Sequence, residues 1–474
     1  MQHAATHHDV PESGRQPWTI LVLLCVAQFM VVLDITVVNV ALPSIGAELG
    51  FARADLQWVV TAYVLFAGAL LLLGGRMADL LGRKSILLTG LVVFTAASLA
   101  SGLAASPTGL IVARAAQGLG AAMLTPSALS IIVTTYTGRQ HTAALAAWGA
   151  IGSAGAAAGM LFGGMLTTWL SWEWVFLINV PIGLGAAALA LHLIPSSSRV
   201  PAAGRRLDVL GALALVSGLV VLVYGIERAA EEGWGSAQTL GMLAIAAVLL
   251  AGFLAMERRV PNPLVPPSTW RVRSLVAGAA IMFGATAILV GSFFLNSIYL
   301  QHALEASALE TGLGFLPIAV AIGFAAHASS HLLGHAGSRA VAATGLSLMA
   351  SGAGLLAAAP DSASYATDLL PGFLLLGLGV GLVFPAASVT AMSDVDHDGA
   401  GLASGLMMTA HEVGAALGVA VLSAVATAAG TTDFAIGYGD GFVVAAGVAL
   451  GLAVVALLAL PVVRPAAGTR VGVH

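Results

Sequence analysis

Stretches of roughly 20 apolar residues, the length that crosses a bilayer as a helix, recur from Trp18 nearly to the C-terminus with only short polar breaks between them. Fourteen can be read, starting near Trp18, Leu56, Ser85, Thr108, Thr142, Trp174, Asp208, Thr239, Leu275, Ala308, Ala340, Leu369, Leu402 and Gly441. Backbone in hydrocarbon must satisfy every N–H and C=O internally, so each stretch is expected to be a helix. Composition points the same way: 59% of the 474 residues are hydrophobic and 8% charged, against about a quarter charged in a soluble domain. The 57 Gly and 18 Pro suit membrane helices, where small residues let backbones approach. The expected fold class is an all-α polytopic membrane protein.

The basic residues predict orientation. With the N-terminus inside, 15 of the 18 Lys and Arg fall in inside segments, Arg53 and Arg228 lie outside, and Arg114 lies within a helix. Such asymmetry predicts a multi-pass plasma-membrane protein with both termini cytoplasmic. A net charge of −4 carries no nucleic-acid signature. Cys25 is the lone cysteine, which excludes an internal disulfide, and it is expected to pack in helix 1. The residues before Trp18, with His3, His7 and His8, read as a disordered tail without a cleavable signal, because the next segment runs on as a full span.

The chain repeats itself. GRMADLLGRK (Gly75 to Lys84) has an eroded partner in SHLLGHAGSR (Ser330 to Arg339). QGLGAAMLTPSAL aligns with LGLGVGLVFPAAS, matching Gly118, Gly120 and Pro126 to Gly377, Gly379 and Pro385, and Gly155 and Gly159 match Gly414 and Gly418. Helices 1 to 6 therefore correspond to helices 9 to 14, with helices 7 and 8 inserted. The expected organisation is a tail (1–17), a six-helix bundle (18–195), a linker with two extra helices (196–273), a second six-helix bundle (274–463) and a tail (464–474). Related halves around a central site are the architecture of alternating-access transporters.

These motifs carry a family resemblance. GRMADLLGRKSILL, RAAQGLGAA (Arg114 to Ala122) and GAAAGMLFGG (Gly155 to Gly164) resemble the helix 2–3 loop signature, the helix 4 motif and the antiporter motif of the major facilitator superfamily. LDITVVNVALP (Leu33 to Pro43) and WEWVFLINVPIG (Trp172 to Gly183) resemble its fourteen-helix drug:proton antiporter branch, the EmrB/QacA type. The resemblance implies the major facilitator fold, two pseudo-symmetric halves plus two central helices, and proton-coupled export. Three departures stand out. Met160 follows Gly159 where the family usually has Pro, Glu173 stands between two Trp where Arg is common, and TAHEVG places His411 and Glu412 in helix 13 where Arg and Gln are usual.

Asp34 interrupts the apolar run FMVVLDITVVNVALP. A carboxylate at mid-membrane costs about 2.5–3.5 kcal/mol on the lenient insertion scale, so it needs a polar cavity, a partner or a proton. A titratable acid in such a place suits reversible proton binding. Its depth, about 24 Å along helix 1 from Trp18, matches that of Arg114, about 9 Å into helix 4. Two readings follow, a proton-coupling carboxylate and a permanent Asp34/Arg114 ion pair joining helices 1 and 4. Glu412, about 15 Å into helix 13, is a second candidate, with His411, for binding a proton or cationic substrate; the alternative is a hydrogen-bonded acid facing a neighbouring helix.

In the helix 2–3 loop, Gly75 and Gly82 allow a tight turn and Arg83 and Lys84 hold it inside. Asp79 can favour one conformation by meeting a helix N-terminus, which the resemblance implies to be that of helix 13; a plain topology anchor is the alternative. Gly155, Gly159 and Gly163, with Gly164, form a close-packing face. Tyr63, Phe66, Asn296 and Met408, with Asp34 and Glu412, are candidates to line a substrate pocket. Trp18, Trp58, Trp172, Trp234 and Trp270 lie near span ends and read as interfacial belts. His327, His331 and His335 are explained by the eroded repeat and not assigned a metal. No nucleotide-binding loop or hydrolase signature appears.

The reading is a non-enzymatic, monomeric exporter of lipophilic or cationic small molecules, driven by protons and without a cofactor. An exporter dedicated to one metabolite and a non-transporting membrane sensor are the alternatives.

Overall fold

The computed structural model describes residues 16–461 and 463, apart from 53–54, 137, 196–206, 262, 361–362, 396–399 and 429–433. The N-terminal histidines, with residues 1–15, and the C-terminal tail (464–474) therefore lie outside the described residues, while Gln16 and Pro17, expected in the N-terminal tail, open the first helix. The chain is helical: α1 (Gln16–Leu49), α2 (Trp58–Leu81), α3 (Arg83–Gly102), α4 (Pro107–Thr135), α5 (Gly138–Trp169), α6 (Trp174–Leu193), α7 (Val209–Glu232), α8 (Ala237–Glu257) and α9 (Arg273–His302) come first. Ala308–Ala357 follows as one run of 50 residues, interrupted at Gly337 by φ 80° and ψ 161°. A continuous helix of that length would reach about 75 Å, more than twice a hydrocarbon core. It is two passes, α10 before Gly337 and α11 after it. The chain ends with α12 (Leu370–Met392), α13 (Ala400–Ala428) and α14 (Phe434–Ala459). Fourteen membrane-length helices result, and no strand occurs among the described residues. The boundaries fall within a few residues of the expected starts except at α14, which begins seven residues before Gly441.

The repeat read in the sequence reappears as matching packing. Gly118 on α4 lies against the Tyr63 carbonyl of α2, and Gly377 on α12 against the Ile318 carbonyl of α10. Gly120 meets Phe94 of α3 as Gly379 meets Met349 of α11. Gly159 on α5 touches Leu33 and Thr36 of α1; its counterpart Gly418 on α13 touches Ala287 of α9. The turns match as well. Gly82, between α2 and α3, has φ 99° and ψ 131°, close to Gly337, and both positive φ values suit a residue without Cβ. Two residues after Gly82, Lys84 Nζ donates to the carbonyls of Leu191 and Ile194, the latter at 2.5 Å, at the end of α6. Two residues after Gly337, Arg339 Nε donates to the Leu460 carbonyl at the end of α14, 2.6 Å away. A cation at unsatisfied C-terminal carbonyls closes each bundle.

We call the membrane face where α1 starts the near face and the opposite one the far face. Toward the far face the halves are tied: Ser297 donates to the Asn39 carbonyl and Gln301 to the Val40 carbonyl, joining α9 to α1, while Gly164 and Met160 of α5 abut Ala308 and Gly312 of α10. The α7–α8 hairpin is laid outside. Ala212, Val216, Leu219, Val223 and Ile226, a heptad-like seam on α7, are buried in one cluster with Tyr63 and Val64 of α2 and Ala416 and Ala420 of α13, so α7 covers the groove between α2 and α13. Trp58 of α2 also donates to Glu227 of α7 at 2.6 Å.

Two of the expected belt tryptophans are therefore something else. Trp58 is a buried-partner donor, and Trp172, 3% exposed, donates to Glu48 and packs α6 on α1. Trp18, Trp234 and Trp270 are exposed as a belt requires.

Candidate functional site

Asp34 is fully buried and fully partnered. Its Oδ2 accepts from Arg114 Nη1 at 2.6 Å, and its Oδ1 accepts from Gln117 Nε2 and Asn179 Nδ2, each at 2.8 Å. Arg114 sits three residues before Gln117 on α4, and that one-turn spacing lets Nη1 also donate to Gln117 Oε1 at 2.7 Å. Its Nε donates to the Val59 carbonyl of α2 at 2.8 Å. Ser98 on α3 accepts from both amides at 3.1 Å and donates to the Phe176 carbonyl. The guanidinium lies 4.3 Å from the Tyr63 ring and 5.5 Å from that of Phe176. Asp34, Arg114, Gln117, Asn179 and Ser98 are all 0% exposed.

Five helices, α1, α2, α3, α4 and α6, thus converge on one carboxylate. Charge-assisted hydrogen bonds of this kind, in the low dielectric of a bundle core, satisfy most acceptor positions of the acid. Asp34 is thus the anionic centre around which Arg114, Gln117 and Asn179 are arranged. Asp34 and Arg114 meet at one depth, as their positions along helices 1 and 4 predict. Gln117, Asn179 and Ser98 received no role from the sequence, although Gln117 and Asn179 lie inside the quoted motifs and Gln117 shares a helix face with Arg114.

Glu412 and His411 do not form a pair with each other. Glu412, half-buried, sits where its Cβ abuts Gly68 of α2, and it lies within electrostatic reach of Tyr63 alongside Asp34 and Arg114. His411 points to α9 and α12, with Nδ1 3.1 Å from Thr286 Oγ1 and its ring 5.6 Å from that of Phe384. Phe66 is half-buried beside Gly118, and Met408 is 36% exposed. Asn296 is not brought to this region. It is 1% exposed and its Oδ1 accepts from Tyr438 of α14 at 2.6 Å, inside the second half. Asp34 and Tyr63 are sealed from any ligand in this conformation.

The glycine face of α5 serves α1. A Cβ at Gly155 would press on Val32, at Gly159 would overlap Thr36, and at Gly163 would press on Val37, so these glycines seat the helix that carries Asp34, while Gly164 faces α10. α5 runs unbroken through Met160. Gly75 and Asp79 lie within the last two turns of α2, so the tight turn rests on Gly82 alone and not on Gly75, which packs beside Pro126; Asp79 is exposed, and residues 396–399, which precede α13, are outside the described residues. Lys84 is committed to the α6 carbonyls, whereas Arg83 has no side-chain partner among the described residues. No group of three or more His, Cys, Asp or Glu that suits a metal occurs among the described residues.

Residues 24–419 match the family model of the Major Facilitator Superfamily. The chain is 41% identical to the cephamycin export protein CmcT of Amycolatopsis lactamdurans over 93% of this chain and 91% of that one. It is also 41% identical to the puromycin resistance protein of Streptomyces alboniger, over 87% and 82%. Among solved structures, an auto-inhibited peptide transporter of the POT family superposes with a TM-score of 0.69, covering 97% of this chain and 100% of that one at 18% identity, a likeness of fold. On the family match and these relatives together, the chain belongs to the Major Facilitator Superfamily.

Proposed function

We propose that this chain exports antibiotic-like amphipathic molecules across the plasma membrane in exchange for protons, by alternating access, with Asp34 as the coupling carboxylate. The observation that carries this is the ring of donors around a single buried acid. Binding a proton from outside neutralises Asp34, frees Arg114 and the two amides from it, and loosens α1 from α4 and α6; release of that proton inside restores the network. Glu412, across α2 from the same cluster, serves as a second acid for a proton or a cationic group. The end of α2 with Gly75 and Asp79, and the turn with Gly82 and Arg83, form the gate on the near face, which is the cytoplasmic one by the distribution of Lys and Arg. The far-face ties between α1 and α9 then make this conformation closed to the outside. The working unit is a monomer of the fourteen-helix branch.

Relatives named for export of, or resistance to, chemically unlike antibiotics support efflux as the direction. The test is drug-induced proton movement in inverted vesicles: wild type responds to added drug, and Asp34→Asn loses the response while retaining its fold. A coupled response that survives in Asp34→Asn removes the assignment. The name of the cephamycin exporter favours a dedicated cargo as the second reading, which predicts a response to a single compound in a chemically mixed panel.

A further inference from the structure

Two acids outside this site meet at the near-face base of the α7–α8 hairpin. Asp208 caps α7, its Oδ1 accepting from the Gly211 N–H at 2.8 Å. Glu257 ends α8, its Oε2 accepting from the Val265 N–H at 2.7 Å. In an antiparallel hairpin the first residue of one helix faces the last of the other, so these two buried carboxyl groups are neighbours. Asp208 is 7% and Glu257 3% exposed, and Asp208 Oδ2 and Glu257 Oε1 have no donor.

Carboxylates only accept hydrogen bonds, so two ionised acids here would set bare anionic oxygens against each other out of water, an arrangement in which one of the two keeps a proton. The surrounding described charges do not offset it. Arg258, Arg259, Arg271 and Arg273 are exposed, as is Asp79 on α2. Arg76 on α2 donates instead to the Pro263 carbonyl at 2.7 Å. On α13, which packs along α7, the titratable residues His411 and Glu412 lie three turns into the helix.

We propose that Asp208 and Glu257 bind one proton between them, and that this shared proton clasps the hairpin base and its 263–265 segment onto Arg76, in the last two turns of α2 ahead of the α2–α3 turn. The O–H of one acid donates to the other carboxylate and satisfies both orphan oxygens at once. Raising the pH on the near side removes the proton, the two anions separate, and the segment that holds Arg76 loosens. The site thus reports near-side pH to the gating turn, by a route that does not depend on Asp34 carrying the transported proton.

The test uses the full-length protein in lipid nanodiscs. Infrared difference spectra should show a protonated carboxyl band at neutral pH that titrates away on alkalinisation and vanishes in both Asp208→Asn and Glu257→Gln. Hydrogen exchange, corrected for its intrinsic rate, should show protection at Leu264 and Val265 falling by about tenfold per pH unit as the pH rises toward the titration, the slope of one proton, and levelling off above it. Asp208→Asn keeps the helix cap and donates permanently through its amide, so its protection should stay flat with pH; Glu257→Gln is the second variant should the first fail to fold. A band indifferent to both substitutions overturns the shared proton. Wild-type protection that is flat with pH overturns the clasp.

Discussion

The two halves of this molecule share a backbone plan and differ in what they bury at its centre. On α4 the positions that carry Arg114 and Gln117 correspond, through the repeat, to Phe373 and Leu376 on α12. The glycine contacts pair Leu33 with Ala287 and Tyr63 with Ile318, so Asp34 corresponds to Ile288. Ile288, Ile318, Phe373 and Leu376 are all 2% exposed or less, and Phe373 stacks on Phe315 with ring centroids 6.0 Å apart. One half is held at its centre by an ionic network and the other, with matching glycine contacts, by hydrocarbon. A six-helix bundle of this plan therefore does not need the ion pair in order to pack. Buried ion pairs are weak contributors to stability once desolvation is counted, so the asymmetry argues that the first half keeps its charges for what they do.

The largest expected effect comes from breaking the pair on one side. Arg114→Met leaves a buried carboxylate without its cation and should lower stability by about 3–5 kcal/mol, read as a drop in thermal unfolding temperature in detergent. Copying the second half into the first, Asp34→Ile with Arg114→Phe, should recover most of that loss while drug-driven proton flux stays absent. A double variant as unstable as the single one would mean the halves are not interchangeable in packing, and the comparison fails. Next in size are the glycine seats. Gly159→Ala and Gly418→Ala each force a methyl into the partner helix and should cost about 1–3 kcal/mol; by proteoliposome assay only the first, which displaces the helix of Asp34, should also alter coupling. Smallest are the helix-end cations: Lys84→Ala and Arg339→Ala should each cost about 0.3–1 kcal/mol, and unequal losses would show that the two turns have diverged in role.

Much of this was legible in the sequence because lipid leaves few choices. Span number and the shared depth of Asp34 and Arg114 follow from hydropathy and helix rise, the internal repeat from matched Gly and Pro motifs, and the glycine face of α5 from its four-residue spacing. Gln117, Asn179 and Ser98 escaped because neutral side chains leave no electrostatic or periodic trace of which neighbour they address. The direction that Asn296 takes, toward Tyr438, is equally hidden, because it depends on how α9 is rotated against α14. Trp172 lies near a span end as an interfacial residue would, yet it is buried because α6 leans on α1.

What the sequence alone determined is the set of helices and the one acid–base pair, Asp34 and Arg114, whose shared depth let them meet, since a charge in hydrocarbon is costly to leave unpaired. Which helices meet, and on which face, was decided only in three dimensions. Five helices had to converge before Asp34 acquired its amide donors, and α7 and α8 had to fold back on each other before Asp208 met Glu257. Such contacts arise from packing angles and rotations that many sequences with the same hydropathy would satisfy differently.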